Sequence, residues 1–191
     1  MFGNTSSETT NAIELLKRDH DDVDTLFSQY EDSKETNDDD AKEMLVTQIC
    51  DALTVHAQVE EEIFYPAARR ALDGDEGKDL LDEAAVEHQT LKDLIARLEA
   101  APTDDPLYDA GVKVLSEYVK HHVREEESEL FPQVKRSDLD LDAMGVALRA
   151  RKSELTARGI GRAKGGRSKV GKSASRKSAN GARVASAPAA R

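Results

Sequence analysis

Two stretches of this chain repeat one another. His56-Ala57-Gln58-Val59-Glu60-Glu61-Glu62-Ile63-Phe64-Tyr65-Pro66 returns 66 residues later as His122-Val123-Arg124-Glu125-Glu126-Glu127-Ser128-Glu129-Leu130-Phe131-Pro132. Both place a glutamate four residues after a histidine, continue with acidic residues, and close on an aromatic-Pro pair. On an α-helix, positions i and i+4 lie on one face, one turn apart. Each copy therefore aims an imidazole and a carboxylate at one point. The flanking residues carry the same spacing as apolar stripes. Leu45, Ile49 and Leu53 lead to His56, Glu60 and Ile63; Gly111, Val114, Leu115 and Tyr118 lead to His122 and Glu126. Polar pairs thus occupy positions that belong to a core, and the fold must bring them something that offsets their burial.

Two further segments have the same helical period. Ile13, Leu16, His20, Val23, Phe27 and Tyr30 trace one face, preceded by the cap-forming Thr9, Thr10 and Asn11. Leu81, Ala84, His88, Leu91, Ile95 and Leu98 trace another, over about Lys78 to Ala101. The motif-bearing segments run from about Ala41 to Leu72 and from about Leu107 to Arg136. Asp38 to Asp40 are suited to cap the second helix. Pro66 should kink that helix or shift its register beyond the motif. Asp73-Gly74-Asp75-Glu76-Gly77 and Pro102 to Pro106 read as breaks. Four long amphipathic segments with short polar connectors predict an all-α fold, an antiparallel up-down-up-down four-helix bundle. A short accessory helix, about Asp140 to Thr156, offers Leu141, Met144, Ala147, Leu148 and Leu155 to pack on its outside. The expected organisation is a flexible 1–11, a bundle over 12–136, the accessory segment 137–157, and a disordered tail over 158–191.

Charge marks the last boundary. The chain of 191 residues has a net charge of −11. Residues 155–191 carry ten Lys or Arg and no acid, leaving 17 bases against 38 acids, a net of −21, in residues 1–154. The tail, composed almost entirely of Gly, Ala, Ser, Lys and Arg, lacks the apolar area to offset ordering entropy. Its spaced bases suit either a solubilising or self-associating role or contact with nucleic acid or another polyanion. No aromatic residue interleaves them, so base stacking is unsupported. Cys50 is the lone cysteine, which rules out an intrachain disulfide and a cysteine-rich zinc module and suits a small buried side chain. Met1 to Thr10 lacks the pattern of a secretory signal, and no apolar run approaches the roughly 20 residues of a membrane helix. These features predict a soluble cytoplasmic protein without a membrane partner.

The chain has five histidines, and four of them, His20, His56, His88 and His122, fall near the middle of the four segments. His20 precedes His56 by 36 residues and His88 precedes His122 by 34, so the chain reads as two similar helical hairpins related by a pseudo-twofold axis. Burying four imidazoles and two carboxylates uncompensated would cost several kcal/mol per charge. Metal cations supply the compensation. Imidazole plus carboxylate without thiolate suits iron, manganese or zinc, and bundle cores with facing Glu and His commonly hold two ions. The twofold pattern assigns His20 and His56 to one metal, His88 and His122 to the other, and Glu60 and Glu126 as bridges. Room would remain for a bridging oxide or hydroxide and an open position for dioxygen, peroxide or nitric oxide. His121, offset by about 100° from His122, belongs beside the site or on the surface. Tyr118 reads as core, or as a hydroxyl directed to a bound oxygen species. Glu61, Glu62, Glu125 and Glu127 read mainly as a solvated face, and Tyr65-Pro66 and Phe131-Pro132 as shapers of helix ends.

The order His, His-x-x-x-Glu with aromatic-Pro, His, His-x-x-x-Glu over roughly residues 12–136 resembles the hemerythrin-like HHE cation-binding family. The resemblance implies a non-haem di-iron centre in a four-helix bundle, with His20, His56, Glu60, His88, His122 and Glu126 as ligands and two oxo- or hydroxo-bridged irons in preference to manganese or zinc. The chain departs from oxygen-carrying hemerythrins. They place a second histidine on helix three, where the positions one turn from His88 are Ala84 and Lys92; they use His-x-x-x-x-Asp where this chain has Glu126. The extra carboxylate of some relatives falls here on Ala57. A site with such vacancies points from reversible carriage toward oxygen, peroxide or nitric oxide chemistry or sensing. Two alternatives remain: a catalase-like enzyme disproportionating peroxide, and a metal-stabilised stress protein whose basic tail contacts nucleic acid.

Overall fold

The computed structural model describes residues 11–36 and 38–159. The expected tail over 158–191 lies, apart from Arg158 and Gly159, outside the described residues, as do Thr9 and Thr10. The described chain is all-helical. Helix α1 is Ala12–Ser33, and α2, Asp39–Val59, continues through a π-helical turn, Glu60–Phe64, into α3, Tyr65–Ala71. Helix α4 is Asp75–Ala100, and α5, Tyr108–Glu125, continues through a second π-turn, Glu126–Leu130, into α6, Phe131–Lys135. The last helix is α7, Leu141–Ala157. Contacts run from α1 to α2, α2 to α4, α4 to α5 and α5 back to α1. Four rods thus form a closed ring of neighbours in chain order, as in an up-down-up-down bundle.

Local chemistry starts these helices where the charges and caps sit. Asn11 accepts from the Glu14 N–H at 3.0 Å, Asp38 from the Ala41 N–H at 3.0 Å, and Asp140 from the Ala143 N–H at 2.9 Å. Each satisfies an N–H that the helix itself leaves unpaired. The break after the second rod is shorter than the sequence suggested. Gly74 takes the positive φ of 99° that turns the chain, while Asp75, Glu76 and Gly77 already belong to α4. Acidic residues in a first turn favour this early start. Gly77 serves packing: a Cβ there would lie 3.0 Å from both Leu72 Cδ1 and Gln133 Oε1.

The prolines produce the two π-turns. Pro66 and Pro132 have no N–H for the carbonyl four residues back, and their rings crowd it. The turn before each widens to an i→i+5 bond, from the Tyr65 N–H to Glu60 O and from the Phe131 N–H to Glu126 O. The extra residue changes which side chains face inward. Ile63, expected on the inner stripe, is half-buried, whereas Phe64 and Tyr65 are both buried. In α5 the stripe also differs from expectation by one position. Val112, Leu115 and Val119 are buried, while Val114 is 48% exposed and Tyr118 half-buried.

Apolar side chains gather in two clusters. One holds Ile13, Leu16, Phe64, Phe131, Leu148 and Leu155; the other holds Val23, Ile49, Leu53, Leu91, Leu115 and Val119. The four buried histidines occupy positions along α1, α2, α4 and α5 between residues of the two clusters. Helix α7 contributes more than an outer cover, since Leu148 and Leu155 are fully buried. Burial of such a leucine stabilises by about 1.5–3 kcal/mol. Cys50 is buried as expected, and burial pushes its thiol up to about 12, so it remains protonated and inert.

Candidate metal centre

Each rod brings one histidine to the middle of the bundle, and all six expected residues meet there. His20 Nε2 lies 3.1 Å from His56 Nε2, and His88 Nε2 lies 3.1 Å from His122 Nε2. Glu60 Oε2 lies 3.3 Å from His56 Nε2 and 3.5 Å from His88 Nε2. Glu126 Oε2 lies 3.4 Å from His20 Nε2 and 3.6 Å from His122 Nε2. Each glutamate therefore spans one histidine of each pair. Such donor groups cluster as His20, His56, Glu60 and Glu126, and as Glu60, His88 and His122.

The outer ring nitrogens meet acids. His20 Nδ1 is 2.9 Å from Glu127 Oε1, His88 Nδ1 is 2.9 Å from Glu61 Oε1, and His122 Nδ1 is 2.7 Å from Glu87 Oε2. His56 Nδ1 faces Asp19 Oδ2 at the longer distance of 3.5 Å. The arrangement is twofold: Asp19 and Glu87 each precede the first histidine of their hairpin, and Glu61 and Glu127 each follow the motif glutamate. A carboxylate only accepts, so the imidazole facing it donates through Nδ1, and a neutral ring then presents a bare lone pair at Nε2. Two such lone pairs facing each other across 3.1 Å repel unless a cation stands between them. Metal–ligand bonds of roughly 2.0–2.2 Å place neighbouring donors about 3.0–3.5 Å apart in octahedral or tetrahedral coordination. The inner spacings match.

Burial makes the same demand. Glu60 is 0% exposed and Glu126 2%, and Glu60 Oε1 and Glu126 Oε2 have no hydrogen-bond partner. Burial, together with the nearby Glu126 carboxylate, pushes Glu60 well above the usual carboxylate range. Against the same burial, His122 and His20 draw Glu126 down. Burial, with His20 beside it and against the pull of Asp19, brings His56 down to about 4. The orphaned carboxylate oxygens and the uncharged His56 imidazole suit a metal ion; at His122 burial is outweighed by Glu126 and Glu87, which raise it.

Several residues given other roles by sequence reasoning belong to this site. Glu61 and Glu127, expected mainly on a solvated face, hold His88 and His20, and Asp19 and Glu87, to which the sequence assigns no role, face His56 and His122. The internal repeat carried the signal, because each acid has a twofold mate. Lys92, one turn after His88, donates to Glu61 at 2.6 Å and 2.7 Å. Lys17 pairs with Glu127 and Lys152 of α7 with Asp19. Hydrogen bonding from His88 is the chief cause that brings Glu61 below its ordinary range.

Tyr65 does more than shape a helix end. Its hydroxyl donates to Glu126 Oε1 at 2.8 Å and lies 3.1 Å from His88 Nε2. Its twofold mate Phe131 has no hydroxyl and stacks on His20 with ring centroids 5.9 Å apart. The centre is therefore symmetric in its histidines and glutamates and asymmetric in its aromatics. His121 lies outside the cluster, half-exposed, with Nε2 3.5 Å from Glu87 and 3.3 Å from Glu125. Tyr118 packs against the Leu115 cluster.

Comparison with known proteins agrees with this geometry. The hemerythrin HHE cation-binding domain matches residues 11–134. A DNA nickase of Nostoc sp. is 30% identical over 157 residues, 81% of this chain but 43% of the nickase, so the chain spans less than half of that relative. A hemerythrin-like protein of Schizosaccharomyces pombe is 25% identical over 142 residues, 74% of this chain and 68% of its own. The crystal structure of an HHE cation-binding domain protein from Mycobacterium kansasii matches with a TM-score of 0.66 at 24% identity, over 78% of this chain and 90% of that one, and shares its fold.

Proposed function

Because this chain belongs to the hemerythrin HHE cation-binding domain family, we propose that it holds a non-haem di-iron centre acting in oxygen, peroxide or nitric oxide chemistry or sensing. His20, His56, His88, His122, Glu60 and Glu126 would hold the irons, the two histidine pairs each facing the two glutamates. The observation that carries this reading is the pair of opposed Nε2 contacts at 3.1 Å, with outer nitrogens turned to carboxylates. The irons would supply redox chemistry toward a small diatomic or peroxide ligand. The chain's own groups orient the rings through Glu127, Asp19, Glu61 and Glu87, and Tyr65 offers a hydroxyl proton beside Glu126. Disproportionation of two hydrogen peroxide molecules to two waters and dioxygen is the enzymatic form of this reading.

Protein produced with iron should contain about two irons per chain and show near-ultraviolet absorption of an oxo-bridged ferric pair, with both lost in a His56→Ala/His122→Ala variant. A colourless protein containing only zinc would sink the proposal. Oxygen evolution on adding peroxide, absent in the double variant, would establish the enzymatic form. A second reading rests on the ten uncompensated bases of residues 155–191 and on the nickase relative: the tail contacts nucleic acid or another polyanion. Gel shift and plasmid nicking with and without residues 158–191, at two salt concentrations, decide it. No retardation at low salt ends that reading.

A further inference from the structure

A cavity of about 320 Å³ adjoins the centre. The four histidine rings contribute to its lining, whereas Glu60, Glu126 and Tyr65 do not. Apart from Asp19, Thr54 and Glu61, its remaining inner wall is aliphatic, from Val23, Leu53, Leu91, Ile95, Val119 and Val123. Gln58, Glu62 and Lys92, half-buried or exposed, belong to its rim. Ala57, in place of a larger side chain, also borders it.

Size and chemistry both argue against a diatomic occupant alone. The volume is roughly ten times the ~30 Å³ share of one liquid water, and it reaches the lower bound of ~300 Å³ for pockets that enclose small organic ligands. Polar ring atoms at one side and aliphatic walls elsewhere fit an amphiphile with a compact head and a hydrocarbon chain. Besides the histidines, the ionisable groups of the lining are Asp19, Glu61, Glu62 and Lys92; the carboxylates pair with Lys152, Lys92 and Arg151, so Lys92 is already engaged and the lining offers no unpaired cation to an anionic head. We infer that this cavity binds a neutral aliphatic hydroperoxide, its head at the histidines and a chain of up to roughly eight carbons along the aliphatic wall. This inference rests on the peroxide reading of the adjacent centre for the identity of the head group; the amphiphile site stands on the cavity.

Primary alcohols from ethanol to 1-octanol share the chain and a neutral hydroxyl head without the reactive bond. Calorimetric titration of the as-purified, iron-loaded full chain should show affinity rising about fourfold per methylene and levelling near the length that fills the cavity. Hexanoate should bind more weakly than 1-hexanol. Leu53→Phe and, separately, Val119→Phe narrow the cavity from two helices and should weaken 1-hexanol at least tenfold in whichever variant keeps the wild-type melting temperature. A flat chain-length series, hexanoate binding tighter than hexanol, or an unchanged series in a folded filled variant overturns the inference. The series in the unmodified chain tests it even if both variants unfold. Iron content and the near-ultraviolet spectrum, read on the same sample, report on the centre separately. Alcohol binding by a colourless zinc protein would uphold the amphiphile site and refute the hydroperoxide head; a flat series in a two-iron protein would refute the site and leave the centre standing.

Discussion

At His122, Nδ1 faces Glu87 across 2.7 Å and Nε2 faces His88 across 3.1 Å, so Glu87 orients the ring before any ligand arrives. Glu87 fixes the ring's tautomer and raises its basicity toward whatever occupies the centre. Glu87→Gln keeps an acceptor of the same shape and removes the charge. It should weaken metal affinity about 10–100-fold with little change in helix content, measured by chelator competition. The exposed Glu83→Gln on the same helix should leave affinity unchanged, and equal losses in both variants would refute the assigned role. The six buried donors were legible from spacing because histidine and glutamate interrupted apolar stripes. The supporting acids were not, because Glu61 and Glu127 stand among other glutamates in local sequence. Only the crossing of Glu127 to His20, 107 residues away, sets it apart.

At the scale of the element, prolines and packing decided what periodicity could not. A 3.6-residue period projected through Glu60 puts Ile63 inward; the π-turn before Pro66 places Phe64 and Tyr65 there instead. Gly77 reads as a break, yet it is a helical contact against Leu72 and Gln133. Gly77→Ala, which in an open helix would stabilise by up to about 1 kcal/mol, should here destabilise by about 1–3 kcal/mol through overpacking. A lower denaturation midpoint shows this, and a higher one would sink it. Helix α7 is tied to the bundle by Arg151, whose Nε donates to Glu62 Oε2 at 2.6 Å. That hydrogen bond is the main cause holding Glu62 down to about 2, from an ordinary value of 4.5. A depressed carboxylate contributes stability above its unfolded pKa, and the contribution fades as pH falls from 4.5 toward 2. Glu62→Gln should therefore melt below the wild type at pH 6, with the difference shrinking at pH 3. A difference independent of pH would show that the charge contributes nothing.

For the whole molecule, the proposed centre lies where four rods and two apolar clusters meet, so metal binding and folding are linked. Removing metal should lower the melting temperature at pH 7 by roughly 10 °C, the shift expected for ~4 kcal/mol of ligand stabilisation in a chain of this size. An unchanged temperature after chelation would count against a metal inside the bundle. In the metal-free protein burial keeps His56 near 4, whereas burial and the Glu126 carboxylate hold Glu60 above its ordinary range. Between pH 4.5 and 6.5 His56 therefore binds more protons in the unfolded chain and Glu60 more in the folded one, and the two contributions to stability oppose each other. The acidic charge of residues 1–154 and the basic charge of residues 155–191 are separated along the sequence, and most of the latter residues lie outside the described ones.

The sequence by itself determined the all-helical class, the four histidine-bearing rods and the six inward donors. Those follow from a period of 3.6 residues and from the cost of polar groups on an apolar stripe, both of which are local. Tertiary structure alone decided how each glutamate spans the two histidine pairs, which acid supports which ring, and that Tyr65 reaches Glu126 where Phe131 has no hydroxyl. It also decided that an aliphatic cavity remains beside the centre. These depend on rotations set by prolines and on contacts between residues tens of positions apart, which no single-helix pattern encodes.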